Sequence, residues 1–81
     1  MELQNRVFEL LEEITMVEKI SVYDELAADL GLDSLGMISL LIALEDTFHI
    51  ELDESDMDPL ALQTVDDIVQ LAERYVEGER I

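Results

Sequence analysis

Apolar residues in the first fifteen positions recur at helical spacing. Leu3, Val7, Leu10, Leu11 and Ile14 fall on one side, and Glu2, Glu9, Glu12 and Glu13 fall on the others. This pattern predicts an amphipathic helix that ends near Thr15. Residues 16–33 keep no period. Ile20, Val22, Leu26, Leu30 and Leu32 stand as isolated apolar anchors among polar positions, and Asp24 to Ala28 is expected to form a short turn of helix. A loop of this length inside a compact domain tends to be functional. Gly31 suits a position with positive φ.

The second helix is predicted from about Ser34 to Phe48, with Asp33 as its N-cap. It carries two apolar stripes where one would suffice. Leu40, Leu41, Leu44 and Phe48 form the first, expected in the core, and Leu35, Ile38 and Ile42 form the second. The second stripe either lines a cavity between helices, lies exposed for docking, or is buried as on a central bundle helix. Residues 49–63 hold the acids Glu51, Asp53, Glu54, Asp56 and Asp58 together with Pro59. A short helix near 54–57, stopped by Pro59, is expected there. The last helix should start at Thr64, where Thr64-Val65-Asp66-Asp67 resembles a capping box with Asp in place of Glu. Val65, Ile68, Val69, Ala72, Tyr75 and Val76 continue its apolar face, and Gly78 is expected to end it. No strand alternation, repeat or linker is visible. The expectation is an all-α single domain over residues 1–81, a small four-helix bundle with a long first loop and a short third helix.

Composition narrows the function. The chain has 81 residues, 21 Asp and Glu against 4 Lys and Arg, and a net charge of −17. Nucleic acid is excluded as a partner, because phosphate binding needs clustered cations. Anionic membrane surfaces are disfavoured for the same reason. Partners with basic surfaces are favoured. Hydrophobic residues make up 49% of the chain, enough to fold despite the charge. There is no cysteine, which excludes disulfides and thiolate chemistry from the chain itself. The start Met1-Glu2-Leu3-Gln4-Asn5 does not read as a signal peptide, and the longest apolar run, Leu40 to Leu44, is too short to cross a membrane. A cytoplasmic monomer is expected.

No catalytic constellation assembles. The one histidine, His49, lies about 22 Å from Ser34 along a continuous helix, at ~1.5 Å per residue, so the two cannot form a hydrolytic pair. It reads as a surface or loop-packing residue. The acidic run does not fit a calcium loop: counting from Asp53, the fifth and sixth places are Met57 and Asp58. No metal site is expected. Tyr23 and Tyr75 read as rim or core residues with surface hydroxyls, and Met16, Met37 and Met57 as soft apolar fillers, Met37 lying near Ser34. Ser34 remains. A helix N-terminus favours a phosphate ester through free N–H groups and the helix dipole, so the serine reads as a hydroxyl that another enzyme modifies. Asp29 and Asp33 oppose that by charge.

The stretch Asp29-Leu30-Gly31-Leu32-Asp33-Ser34-Leu35, followed by Leu40-Leu41-Ile42-Ala43-Leu44-Glu45-Asp46 and Phe48, closely resembles the acyl carrier protein family. Helix order, length and charge agree over nearly the whole chain. The resemblance implies that Ser34, preceded by Asp33, becomes a 4′-phosphopantetheine ester. A phosphopantetheinyl transferase makes it from coenzyme A in a magnesium-dependent step. It also implies that the reactive sulfur arrives with that group, and that the chain has no turnover of its own. Its partners would be the transferase and acyltransferases, ketosynthases or acyl ligases. These would dock through basic surfaces on Leu35, Met37, Ile38, Ile42, Glu45 and Asp46.

Two features depart from the family pattern. Fatty-acid carriers usually have acids two and five residues after the serine, where this chain has Gly36 and Ser39. The connection before the last helix is about two residues longer, with Met57, Pro59, Leu60 and Leu62 in it. Both tilt the reading from fatty-acid synthesis toward a specialised, polyketide-like pathway. A peptidyl or aminoacyl carrier shares the serine, but the charge favours acyl cargo. An acidic helical adaptor without a prosthetic group is the competing class.

The charge excess predicts that self-repulsion weakens the compact state. Raising ionic strength to about 0.5 M, where the Debye length falls to a few Å, should raise the melting temperature, as should millimolar Mg²⁺. A flat salt titration by circular dichroism would contradict this.

Overall fold

The computed structural model describes residues 2–58 and 60–78. They form α1 (Glu2–Thr15), α2 (Ser34–Phe48), a single 3-10 turn (Glu54–Asp56) and α3 (Val65–Gly78). The third helix of the expected bundle is therefore one turn, and the domain is built on three α-helices. The reason is local. Glu54, Ser55 and Asp56 offer no apolar face to bury, and the turn rests on the Asp53 carboxylate accepting from the Ser55 N–H. The expected stop at Pro59 lies outside the described residues, and the turn already closes at Met57. Gly78 is the last helical residue described, so the cap beyond it also lies outside them.

α1 packs on α2 and α3, and α2 meets α3. Val7 and Leu11 enter the core from α1, Met37, Leu40, Leu41 and Leu44 from α2, and Val65, Ile68, Val69, Leu71 and Ala72 from α3. Among the described residues no polar side chain is buried. Of the five apolar anchors in the long loop, Ile20, Leu26, Leu30 and Leu32 are buried, and Ile50, Leu52 and Leu62 join them from the second connection. Both connections thus contribute to the core.

Backbone hydrogen bonds hold the long loop in place. Its carbonyls at Val22 and Asp24 accept from the Asp66 and Val65 N–H groups at 2.9 and 3.0 Å, and Leu26 N–H donates to Gln63 at 2.9 Å. The first two amides of α3, which no helical carbonyl reaches, are satisfied by the loop. The expected helical turn is present a residue later than the sequence placed it, with Asp29 N–H donating to the Glu25 carbonyl at 2.9 Å. Gly31 has φ +70°, which fits the reversal that sends Leu32 back into the core.

Among the described residues, three besides glycine share that left-handed geometry: Met16, Lys19 and His49. Met16 and His49 each follow a helix, in the place glycine commonly fills. Met16 is consequently 84% exposed, which corrects its reading as a packed filler. Tyr75 is half-buried. Its hydroxyl accepts from Asp53 N–H at 2.9 Å and donates to the Asp56 carboxylate, tying the 3-10 turn to α3.

The capping box forms as the sequence implied. The Asp67 carboxylate accepts from Thr64 N–H at 3.0 Å, and Thr64 Oγ1 accepts from Asp67 N–H at 3.3 Å. The bond from Thr64 N–H, with a second from Gln63 N–H, holds the Asp67 carboxyl below its ordinary value. A depressed carboxyl contributes stability above its unfolded pKa of about 3.9 and loses it as pH falls through the folded value. Asp67→Asn should therefore cost about 0.5 kcal/mol at neutral pH, the scale of an exposed acid in the first turn of a helix. The gap to the parent should close as pH drops below about 4. Denaturant melts at both pH values would show it, and an equal gap at both would contradict it.

Candidate functional site

The site is the turn where the long loop becomes α2. Asp33 has extended backbone (φ −98°, ψ −171°), and its carboxylate accepts from Gly36 N–H at 2.7 Å. Its carbonyl accepts from Met37 N–H at 2.9 Å, closing the first turn of the helix. Ser34 is the first residue of that turn and is exposed. Among the described residues no protein acceptor takes the N–H groups of Ser34 and Leu35, so this helix start presents two free donors and a hydroxyl. Leu32 is buried two residues upstream and Met37 three residues downstream, which fixes the serine from both sides.

The acids near the serine are engaged with the backbone. Asp33 caps Gly36, and the Asp29 carboxylate accepts from Glu25 N–H at 2.7 Å. Their opposition to an anion at Ser34 is moderated by those bonds.

An open cleft of about 440 Å³ lies beside Ser34. Leu26, Ala27 and Ala28 of the loop, Leu32 and Met37 around the helix start, and Leu62 form most of its wall. Glu25, Asp33 and Gln63 complete it. Apolar periodicity does not point to this cleft. Residues 25–28 and 62–63 are far apart in the chain and are brought together by the backbone bond from Leu26 to Gln63. The one local hint is the pair of small residues, Ala27-Ala28, among larger anchors.

The docking residues expected on α2 divide into three groups. Leu35, Ile38 and Ile42 are 75%, 53% and 51% exposed, so the second stripe of the helix faces solvent while Leu40, Leu41 and Leu44 are buried. The reading in which both stripes are buried is ruled out. Met37 is only 6% exposed and lines the cleft, which corrects its place among the surface docking residues. Glu45 is half-buried and its carboxylate accepts from Leu52 N–H at 2.9 Å, so it braces the chain after α2, while Asp46 is exposed. His49 follows α2 at the end opposite Ser34. Among the described residues no group of three side chains could hold a metal ion.

Gly36 has a packing reason. A Cβ there would lie 2.7 Å from Leu32 Cδ2 and 3.2 Å from Asp33 Oδ1. The close seat of Leu32 against the first turn leaves room only for glycine unless Leu32 shifts.

An exposed serine opens α2 beside a largely apolar cleft, with no histidine near it. Comparison with known proteins gives the family. The family described as "Phosphopantetheine attachment site" matches residues 5–72. An acyl carrier protein of Wolinella succinogenes is 35% identical, over 91% of this chain and 97% of that one. Among solved structures, one from Mycobacterium tuberculosis, titled as a candidate acyl carrier protein, superposes with a TM-score of 0.81. It has 26% identity and covers 89% of this chain and 96% of that chain. The acyl carrier protein of Thermotoga maritima gives a TM-score of 0.81 at 19% identity, covering 98% and 95%, and shows the shared fold. The chain belongs to the acyl carrier protein family, whose prosthetic group is 4′-phosphopantetheine. It is a carrier and not an enzyme.

Proposed function

We propose that Ser34 is the attachment residue and that the chain, as a single-domain monomer in the cytoplasm, carries acyl groups between enzymes of fatty-acid or specialised biosynthesis. The observation that carries the assignment is the geometry of the helix start. The hydroxyl of Ser34 is exposed on the first residue of α2, and the free N–H groups of Ser34 and Leu35 stand beside it. A phosphodiester oxygen at that point meets donors and the positive end of the helix dipole. The residues present therefore suit the group. Asp33 holds the turn that presents the hydroxyl, and Leu26, Ala28, Met37 and Leu62 offer the arm an apolar wall. When bound, the group supplies the thiol that this cysteine-free chain lacks, and with it a thioester linkage to cargo.

The chain's own contribution is position. The capped turn holds one nucleophilic hydroxyl out to a transferase, and the exposed Leu35, Ile38 and Ile42 lie on the same helix for the enzymes that follow. Those enzymes would be acyltransferases, ketosynthases or acyl ligases. Gly36 and Ser39 favour a specialised, polyketide-like line.

Incubation with coenzyme A, Mg²⁺ and a broad-specificity phosphopantetheinyl transferase should raise the intact mass by one phosphopantetheine. The Ser34→Ala variant should gain nothing. Equal gain by the variant would move the attachment elsewhere, and no gain by the parent would remove the assignment.

A further inference from the structure

The exposed face of α2 has a chemistry unlike the rest of the chain. Between Asp33 and Glu45 there is no ionisable residue, in a sequence with 21 acids. Leu35, Ile38 and Ile42 are the exposed aliphatics of this stretch, and the exposed Ser39 lies among them, four residues after Leu35 and three before Ile42. The nearest acids on the chain stand at the margins. Asp33 caps the N-terminal end, Glu45 is tied to Leu52 N–H, and Asp46 lies exposed at the C-terminal end. At position 36 a Cβ would meet Leu32 Cδ2 at 2.7 Å, so a side chain there requires Leu32 to shift.

We infer that enzymes serving this carrier meet its first three α2 turns with an apolar, uncharged surface, with no cluster of cations there. This rests on the carrier reading and specifies its partners. A lysine or arginine pressed against the middle of this stretch would lose water and meet no carboxylate carried by residues 34–44. An apolar pocket instead gains from covering three aliphatic side chains held on a helix, the pattern of an interface hot spot. A second copy of this chain is a poor occupant, because contact would bring together two bodies of charge −17. The long-range field still draws in positively charged proteins, but the contact is apolar.

Ser39→Glu gives the test a sign. The change is on the surface, and an acid in the N-terminal half of a helix does not harm folding. Two phosphopantetheinyl transferases serve as probes, one with an apolar carrier-binding surface and one with an arginine-rich surface, both read by mass gain on Ser34. The parent should show a KM about tenfold lower with the apolar enzyme. Ser39→Glu should raise that KM by about fivefold and lower the KM with the arginine-rich enzyme. Ile38→Ala should raise KM with the apolar enzyme while leaving the melting temperature nearly unchanged. A parent that prefers the arginine-rich enzyme would overturn the docking inference and leave the carrier reading standing. If neither enzyme modifies Ser34 at saturating concentration, the carrier reading itself fails. A parent dimer in sedimentation equilibrium that Ser39→Glu dissociates would assign the face to a second copy and overturn the inference.

Discussion

The backbone clamp between residues 22–26 and 63–66 is the interaction on which the rest of the structure depends. A loop of eighteen residues without its own helix has many backbone groups to satisfy, and a small core cannot hide them unpaired. α3 brings the complementary need, since its first amides have no helical acceptor. The bonds from Val65 to Asp24, Asp66 to Val22 and Leu26 to Gln63 meet both needs at once. They also seat Leu26, which is 2% exposed, among the core residues. Leu30 and Leu32 follow it inward, Asp33 then caps α2, and Ser34 emerges one residue later. The position of the serine is therefore fixed by a contact with a helix that begins thirty-one residues further along.

This arrangement separates two tasks within one short helix. The side of α2 that holds Leu40, Leu41 and Leu44 is buried, and the side that holds Leu35, Ile38 and Ile42 stays in water. Such exposure brings no folding gain and has a cost in solubility, which the surrounding acids offset by keeping copies apart. The cleft at the helix start is made from the same clamp, because its walls are the loop and the segment that the clamp joins to it.

Much of this was legible in the chain. The three α-helices follow from apolar periodicity, and Asp33, Gly31 and the Thr64–Asp67 box carry local chemistry that fixes their roles without tertiary help. Less legible were features decided by long-range contact. Met37 sits three residues after the serine, on the helix that carries the exposed stripe, yet the turn of the helix directs it inward. Glu45 looks like a docking acid until Leu52 N–H is found on it. The 3-10 turn looks like a helix in sequence because polar residues tolerate either, and only its lack of an apolar face decides. The cleft wall has little signal beyond Ala27-Ala28, since its two halves pair through backbone atoms that sequence does not label. Tyr75 is an intermediate case. Its place on α3 could be read from periodicity, but its hydroxyl's partners, Asp53 and Asp56, could not.

Native-state hydrogen exchange of the Leu26, Val65 and Asp66 amides tests the central claim most directly. If the clamp holds the serine's loop as part of the cooperative core, these amides should exchange within about tenfold of the slowest amides in α2, through global unfolding. Exchange faster by about a thousandfold, with α2 still protected, would mean that the loop opens on its own and that the position of Ser34 has another cause.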